Sequence, residues 1–87
     1  MIKNHKLSGA CAFVLINTEI GLEIKMMDAL KAIPEVKEAH LLHGVYDIIA
    51  RVESDTMSNL KEAISNKIRK VEKVRSTLTM IVTNMMV

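Results

Sequence analysis

The stretch Ala10 to Asn17 (Ala-Cys-Ala-Phe-Val-Leu-Ile-Asn) sets the strictest limit on how this chain can fold. Its β-branched and aliphatic residues, bounded by Gly9 and Thr18, read as a strand. Side chains alternate across a strand, so Ala10, Ala12, Val14 and Ile16 share one face and Cys11, Phe13 and Leu15 the other. Both faces are apolar, and such a strand must be covered on both sides. An 87-residue chain hides only about 60–65% of its unfolded surface, enough material for one covering layer. The second layer is expected from another subunit. Composition points the same way: 49% of residues are hydrophobic but only 2% aromatic, so aliphatic surface exceeds the volume available to bury it.

The remaining chain supplies the other elements of a single domain, after a loose lead-in from Met1 to Ser8. From Ile20 to Ile33, Ile20, Ile24, Met27 and Leu30 recur at helical steps, with Thr18 as candidate N-cap and Pro34 as the stop. Val36 to His43 and Tyr46 to Glu53 read as strands meeting at Gly44 and Val45, a pair suited to a type II′ turn. Asp55 offers the next cap, followed by an apolar stripe of Met57, Leu60, Ile64, Ile68 and Val71. Ser76 to Thr83 closes the chain as a Thr- and Ile/Val-rich strand. The order β-α-β-β-α-β is the ferredoxin-like plan of the α+β class, a four-stranded antiparallel sheet with both helices on one face. The other face is left bare, and pairing of two such sheets gives a dimeric α/β sandwich.

Several function classes are disfavoured. A net charge of +2 from 12 basic and 10 acidic residues is too balanced to imply nucleic acid or membrane lipid. Lys67, Arg69, Lys70, Lys73 and Arg75, with Glu72 among them, read as a solvated helix end complementing the helix dipole. A sheet that binds RNA needs stacking aromatics that this chain lacks. The lone Cys11, inside an apolar run, fits a buried thiol in a reducing cytoplasm. No targeting segment is visible, and the run Ala10 to Ile16 is too short to span a bilayer. His40 and His43, three apart on a strand, point to opposite faces, and His5 sits in the lead-in, so no metal site is expected. Gly9, Gly21 and Gly44 match no phosphate-binding fingerprint, and no nucleophile triad is spaced for catalysis. The seven methionines read as core and interface filler. Neither a cofactor nor an enzymatic centre is expected.

Polar groups gather instead at the hairpin, where His43, Tyr46 and Asp47 flank Gly44 and Val45, and at the last strand, with Ser76, Thr77 and Thr79. A carboxylate beside backbone amides and hydroxyls suits a small zwitterion, the carboxylate meeting its ammonium and the amides and hydroxyls its carboxyl group. The plainer reading has equal weight: Asp47 bonded to loop amides, and the Ser and Thr residues as edge β-formers.

Gly44-Val45-Tyr46-Asp47-Ile48-Ile49, then Val52, Asp55, Leu60, Ile64 and Ile68, then Val74-Arg75-Ser76-Thr77-Leu78-Thr79-Met80-Ile81-Val82 resemble the effector-binding domain of the leucine-responsive regulatory protein/AsnC transcription regulators. Pro34-Glu35-Val36 also fits this RAM (regulation of amino-acid metabolism) domain, and the resemblance runs from about Ala10 to Thr83. It implies sheet-paired homodimers, higher rings commonly of four dimers, and an amino-acid effector held between dimers. The ligand role falls, by this resemblance, on His43, Gly44, Val45, Tyr46, Asp47, Ser76, Thr77 and Thr79. Full regulators carry a preceding helix-turn-helix that these 87 residues do not contain, so the resemblance implies a stand-alone form. Such a form is expected to act by co-assembly with full-length regulators, not by direct DNA binding. The rival readings are a small dimeric ferredoxin-like enzyme of monooxygenase or isomerase type, and an adaptor without ligand.

Overall fold

The computed structural model describes residues 9–83. Five runs of regular backbone follow the expected order: β1 (Ala10–Thr18), α1 (Glu23–Lys31), β2 (Val36–Leu41), β3 (Ile48–Ser54) and α2 (Met57–Ala63). A π-helical turn (Ile64–Ile68) prolongs α2, and β4 (Val74–Ile81) completes the chain. The strands form one antiparallel sheet in the order β2-β3-β1-β4. Ala10, Ala12, Val14 and Ile16 of β1 and Ile48, Ala50 and Val52 of β3 are buried under both helices, against Met26 and Leu30 of α1 and Leu60, Ile64 and Ile68. This is the ferredoxin-like arrangement, with both helices on one face.

The opposite face has no covering element among the described residues. Pairing of Phe13 with Met80 and of Leu15 with Leu78 sets an apolar stripe across β1 and β4. Leu78 is 44% and Met80 48% exposed. Beside it on β2 and β3, Arg51 donates to Glu38 and Glu53, and Glu38 also meets the His40 ring. That contact with His40, and then Arg51, holds the Glu38 carboxyl below the usual range. Cys11 is buried as expected, and loss of hydration pushes its thiol up despite the nearby Arg51 cation. A thiol so shifted is a poor nucleophile.

Local boundaries depart from the periodicity in four places. Helix α1 begins at Glu23, with Ile20 and Ile24 exposed, because Gly21 takes φ +88° and breaks the stripe before a helix can start. Thr18 is not its cap: it ends β1, is buried, and donates its hydroxyl to the Lys73 carbonyl at 3.1 Å. Thr56, not Asp55, caps α2 by accepting the Asn59 N–H at 3.0 Å, while Asp55 accepts from the Asn59 side chain. The hairpin is wider than a two-residue turn: Leu42 N–H donates to the Asp47 carbonyl at 2.7 Å, and Gly44 does not adopt positive φ. The lead-in Met1 to Ser8 lies outside the described residues.

The π turn has a packing cause. Leu60, Ile64 and Ile68 are spaced four and four, and each step of four in an α-helix overshoots a full turn by about 40°. The wider turn, closed by Arg69 N–H to the Ile64 carbonyl at 2.9 Å, brings Ile68 back over the core. Thr56→Ala is expected to destabilise the fold by about 1 kcal/mol through loss of the cap, with Thr56→Asn neutral; urea denaturation measures both.

Candidate functional site at the hairpin end

β1 and β2 run the same way, so the end of β1, the β2–β3 hairpin and the start of β4 meet at one edge of the domain. Asp47 joins the hairpin to the end of β1. Its backbone N–H donates to the Ile16 carbonyl at 3.0 Å, and its carboxylate Oδ2 accepts the Thr18 N–H at 2.9 Å. The second carboxylate oxygen has no hydrogen-bond partner among the described residues.

On the far side of β1, Asn17 pairs with Ser76 but Thr18 pairs with Val74, which leaves Arg75 as the extra residue of a β-bulge. Asn17 Nδ2 donates to Ser76 Oγ at 3.3 Å. Lys73 takes φ 75°, a left-handed conformation that is strained for a non-glycine residue. Its carbonyl is secured by both the Thr18 hydroxyl and the Glu19 N–H.

An open depression of about 380 Å³ results, lined by Asn17, Thr18, Asp47, Arg75 and Ser76. It offers a carboxylate, a guanidinium with no ion-pair partner among the described residues, and short polar side chains. That donor set matches a zwitterion's head group and provides no apolar floor for a side chain.

The sequence-predicted residues are distributed unevenly around it. Asp47 and Ser76 line the depression; His43, Gly44 and Val45 lie exposed in the hairpin loop, and Tyr46 is half-buried there. Thr77 and Thr79 pair with Ile16 and Val14, which places them on the helix side of the sheet, opposite to Ser76. Asn17, Thr18 and Arg75, which local sequence chemistry does not mark for this role, complete the lining. The available signals were a polar residue closing an otherwise apolar strand and a cation directly before the Ser-Thr strand. No group of three or more His, Cys, Asp or Glu residues able to hold a metal occurs among the described residues.

The family model of the Lrp/AsnC ligand binding domain matches residues 11–87. An uncharacterized HTH-type transcriptional regulator of Pyrococcus furiosus is 32% identical over 76 residues, 84% of this chain and 51% of that protein. The chain spans about half the length of the curated relatives it matches, 51% for a Pyrococcus horikoshii regulator as well. Among solved structures, FFRP-DM1 is 45% identical with a TM-score of 0.81, covering 84% of this chain and 97% of that one. Escherichia coli AsnC is 25% identical with a TM-score of 0.83, covering 90% of this chain and 53% of that one. A feast or famine regulatory protein of Mycobacterium tuberculosis complexed with L-methionine shares the fold, at 23% identity and a TM-score of 0.72 over 87% of this chain and 51% of that one.

Proposed function

Because the chain belongs to the Lrp/AsnC ligand-binding domain family, we propose that it senses an amino acid or related small metabolite and transmits its presence to transcription regulators by changing oligomer assembly. The observation that carries this reading is the juxtaposition of Asp47, Arg75 and Ser76 around one depression. Asp47 takes the ligand ammonium through its open oxygen, and Arg75 and the Ser76 hydroxyl take the ligand carboxylate. The hairpin residues His43, Gly44, Val45 and Tyr46 face the same edge, whereas Thr77 and Thr79, on the helix side of β4, lie behind it. A neighbouring copy supplies the apolar wall that the depression lacks. Methionine is the first probe, since the M. tuberculosis protein of this fold is complexed with L-methionine.

Assembly begins with a second copy on the bare sheet face, and the hairpin edges of such dimers meet in higher rings. A ligand held at that seam favours the assembled state by its differential affinity. Full-length family regulators, which carry the HTH element, are the partners through which this reaches DNA. The enzyme alternative requires a reactive polar group between sheet and helices. Among the described residues the buried polar residue is Thr18, whose hydroxyl is already bonded to Lys73.

Asp47→Ala is expected to weaken amino-acid binding by more than tenfold, measured by calorimetry, with the sheet-paired dimer intact. That variant also orphans the Thr18 N–H, so Asp47→Asn separates the effects: it keeps an oxygen acceptor and removes only the charge. Unchanged affinity in Asp47→Asn would remove the assignment of the ammonium to this carboxylate.

A further inference from the structure

The open face of the sheet is divided into two halves. Phe13 and Leu15 of β1 pair with Met80 and Leu78 of β4, and these four side chains make the apolar half. On the other side of β1, Phe13 pairs with Arg51 and Cys11 with Glu53, and Arg51 in turn pairs with Glu38 of β2. His40 stands two residues further along β2, on the same face as Glu38. Glu38, His40, Arg51 and Glu53 form one hydrogen-bonded quartet. Arg51 Nε donates to Glu38 Oε1 at 3.1 Å, its Nη1 donates to Glu53, and His40 Nε2 lies 3.0 Å from Glu38 Oε2.

The charge of the quartet is set by His40. With a neutral imidazole, two carboxylates face one guanidinium, and the group is negative by one unit. With a protonated imidazole the charges cancel. In the lone subunit the difference matters little, because the His40 side chain is 62% exposed and water screens it. Stacked sheets lie about 10 Å apart, so a second sheet laid over Phe13 also reaches Arg51 and Glu38 in the adjoining strands. Water is then withdrawn from the quartet, and an uncompensated charge there becomes costly.

Given the sheet-paired dimer proposed above, we propose that pairing takes up protons at His40, which makes this face a pH-dependent interface between two copies of the chain. A second copy is the occupant that the layout favours. A two-fold contact sets the apolar half against its own equivalent, and a like surface of mixed sign can match the quartet. The charged groups facing His40 are Glu38 on its own strand and Arg51 and Glu53 on β3. Lys37 of β2 is tied to the Pro34 carbonyl at 3.0 Å, and both helices lie on the reverse of the sheet. The second copy brings the same four groups, so two neutral imidazoles leave two negative quartets and two protonated ones leave none.

A histidine that holds its proton more tightly in the dimer adds affinity below the pH at which the lone subunit releases that proton. The gain is lost as pH rises through the transition in the dimer. Histidine ordinarily changes charge between about pH 5 and 8, so association weakens across this range.

Sedimentation equilibrium of the full chain at pH 6 and pH 8 tests this. The dimer Kd is expected to be about tenfold higher at pH 8, with one histidine per subunit contributing. His40→Gln keeps a hydrogen-bond donor for Glu38 but takes up no proton, so its Kd should be the same at both pH values. Glu38→Gln leaves Arg51 and Glu53 balanced, so a protonated His40 then adds unpaired charge and the pH dependence should reverse. Equal Kd values at pH 6 and pH 8 in the unaltered chain would overturn the proposal, as would a dependence that survives His40→Gln. Leu78→Glu separates this failure from that of the underlying assembly. If that variant is monomeric, the sheet face stands as the subunit contact even where His40 proves silent; if it stays dimeric, both readings fall.

Discussion

Leu30→Ala is expected to lower stability by about 2–5 kcal/mol, seen as a urea midpoint about 1–3 M lower with an unchanged m-value. Leu30 is fully buried at the centre of the cluster that joins α1 to the sheet, where rigid neighbours cannot close the space left by its branched end. A chain of this size commands only roughly 4–13 kcal/mol in all, so one such cavity removes a large share of the fold's margin. Ile20→Ala is the control. Ile20 stands on the same helical spacing in sequence but is 89% exposed, so its truncation should stay within about 0.5 kcal/mol. Comparable losses at the two positions would contradict the placement of the α1 start at Glu23.

For the proposed sheet-paired dimer, Leu78→Glu is expected to raise the dissociation constant more than about a hundredfold, leaving a 9.7 kDa monomer by light scattering at micromolar concentration. In the isolated subunit Leu78 is 44% exposed, so the carboxylate stays hydrated and the monomer folds unimpaired. Under a second sheet the same charge would be buried without a partner, a penalty of about 3–5 kcal/mol. Leu78→Met should leave association unchanged, because it keeps the apolar volume of the stripe. A Leu78→Glu protein that remains dimeric would place the subunit contact elsewhere than on this face.

The layers of the fold were legible in Ala10 to Asn17. A strand apolar on both sides has one face for its own helices and one that they cannot reach, and the structure shows this division. Periodicity also located both helices, because Leu30, Leu60, Ile64 and Ile68 do meet over the sheet. Termini were less legible. A stripe extends through any residue at the right spacing, so Ile20 looked helical although Gly21 had already turned the chain. Thr18 looked like a cap because caps are polar residues before apolar periods; its actual partner, the Lys73 carbonyl, is 55 positions away.

The hairpin end shows the same limit on a functional scale. Asp47 and Ser76 could be picked from their local chemistry, but their meeting depends on Asn17 and Thr18, which separate them in space. In the sequence Arg75 is one cation of a basic run; the bulge that sets it apart from that run is a property of pairing register, not of composition. Residue type groups Thr77 and Thr79 with Ser76, whereas strand alternation sends Ser76 to one side and both threonines to the other.

The π turn at Ile64–Ile68 makes this stretch the one place in the helix where chain length is negotiable. It carries one residue more than an uninterrupted α-helix would need to cover the same distance. Removal of the exposed Ser65 should let the segment relax to ordinary winding while β4 keeps its register. The equivalent shortening between Met57 and Ala63 would rotate every downstream side chain off the sheet. Natural variants that differ by a single-residue deletion in this helix should therefore carry the gap here.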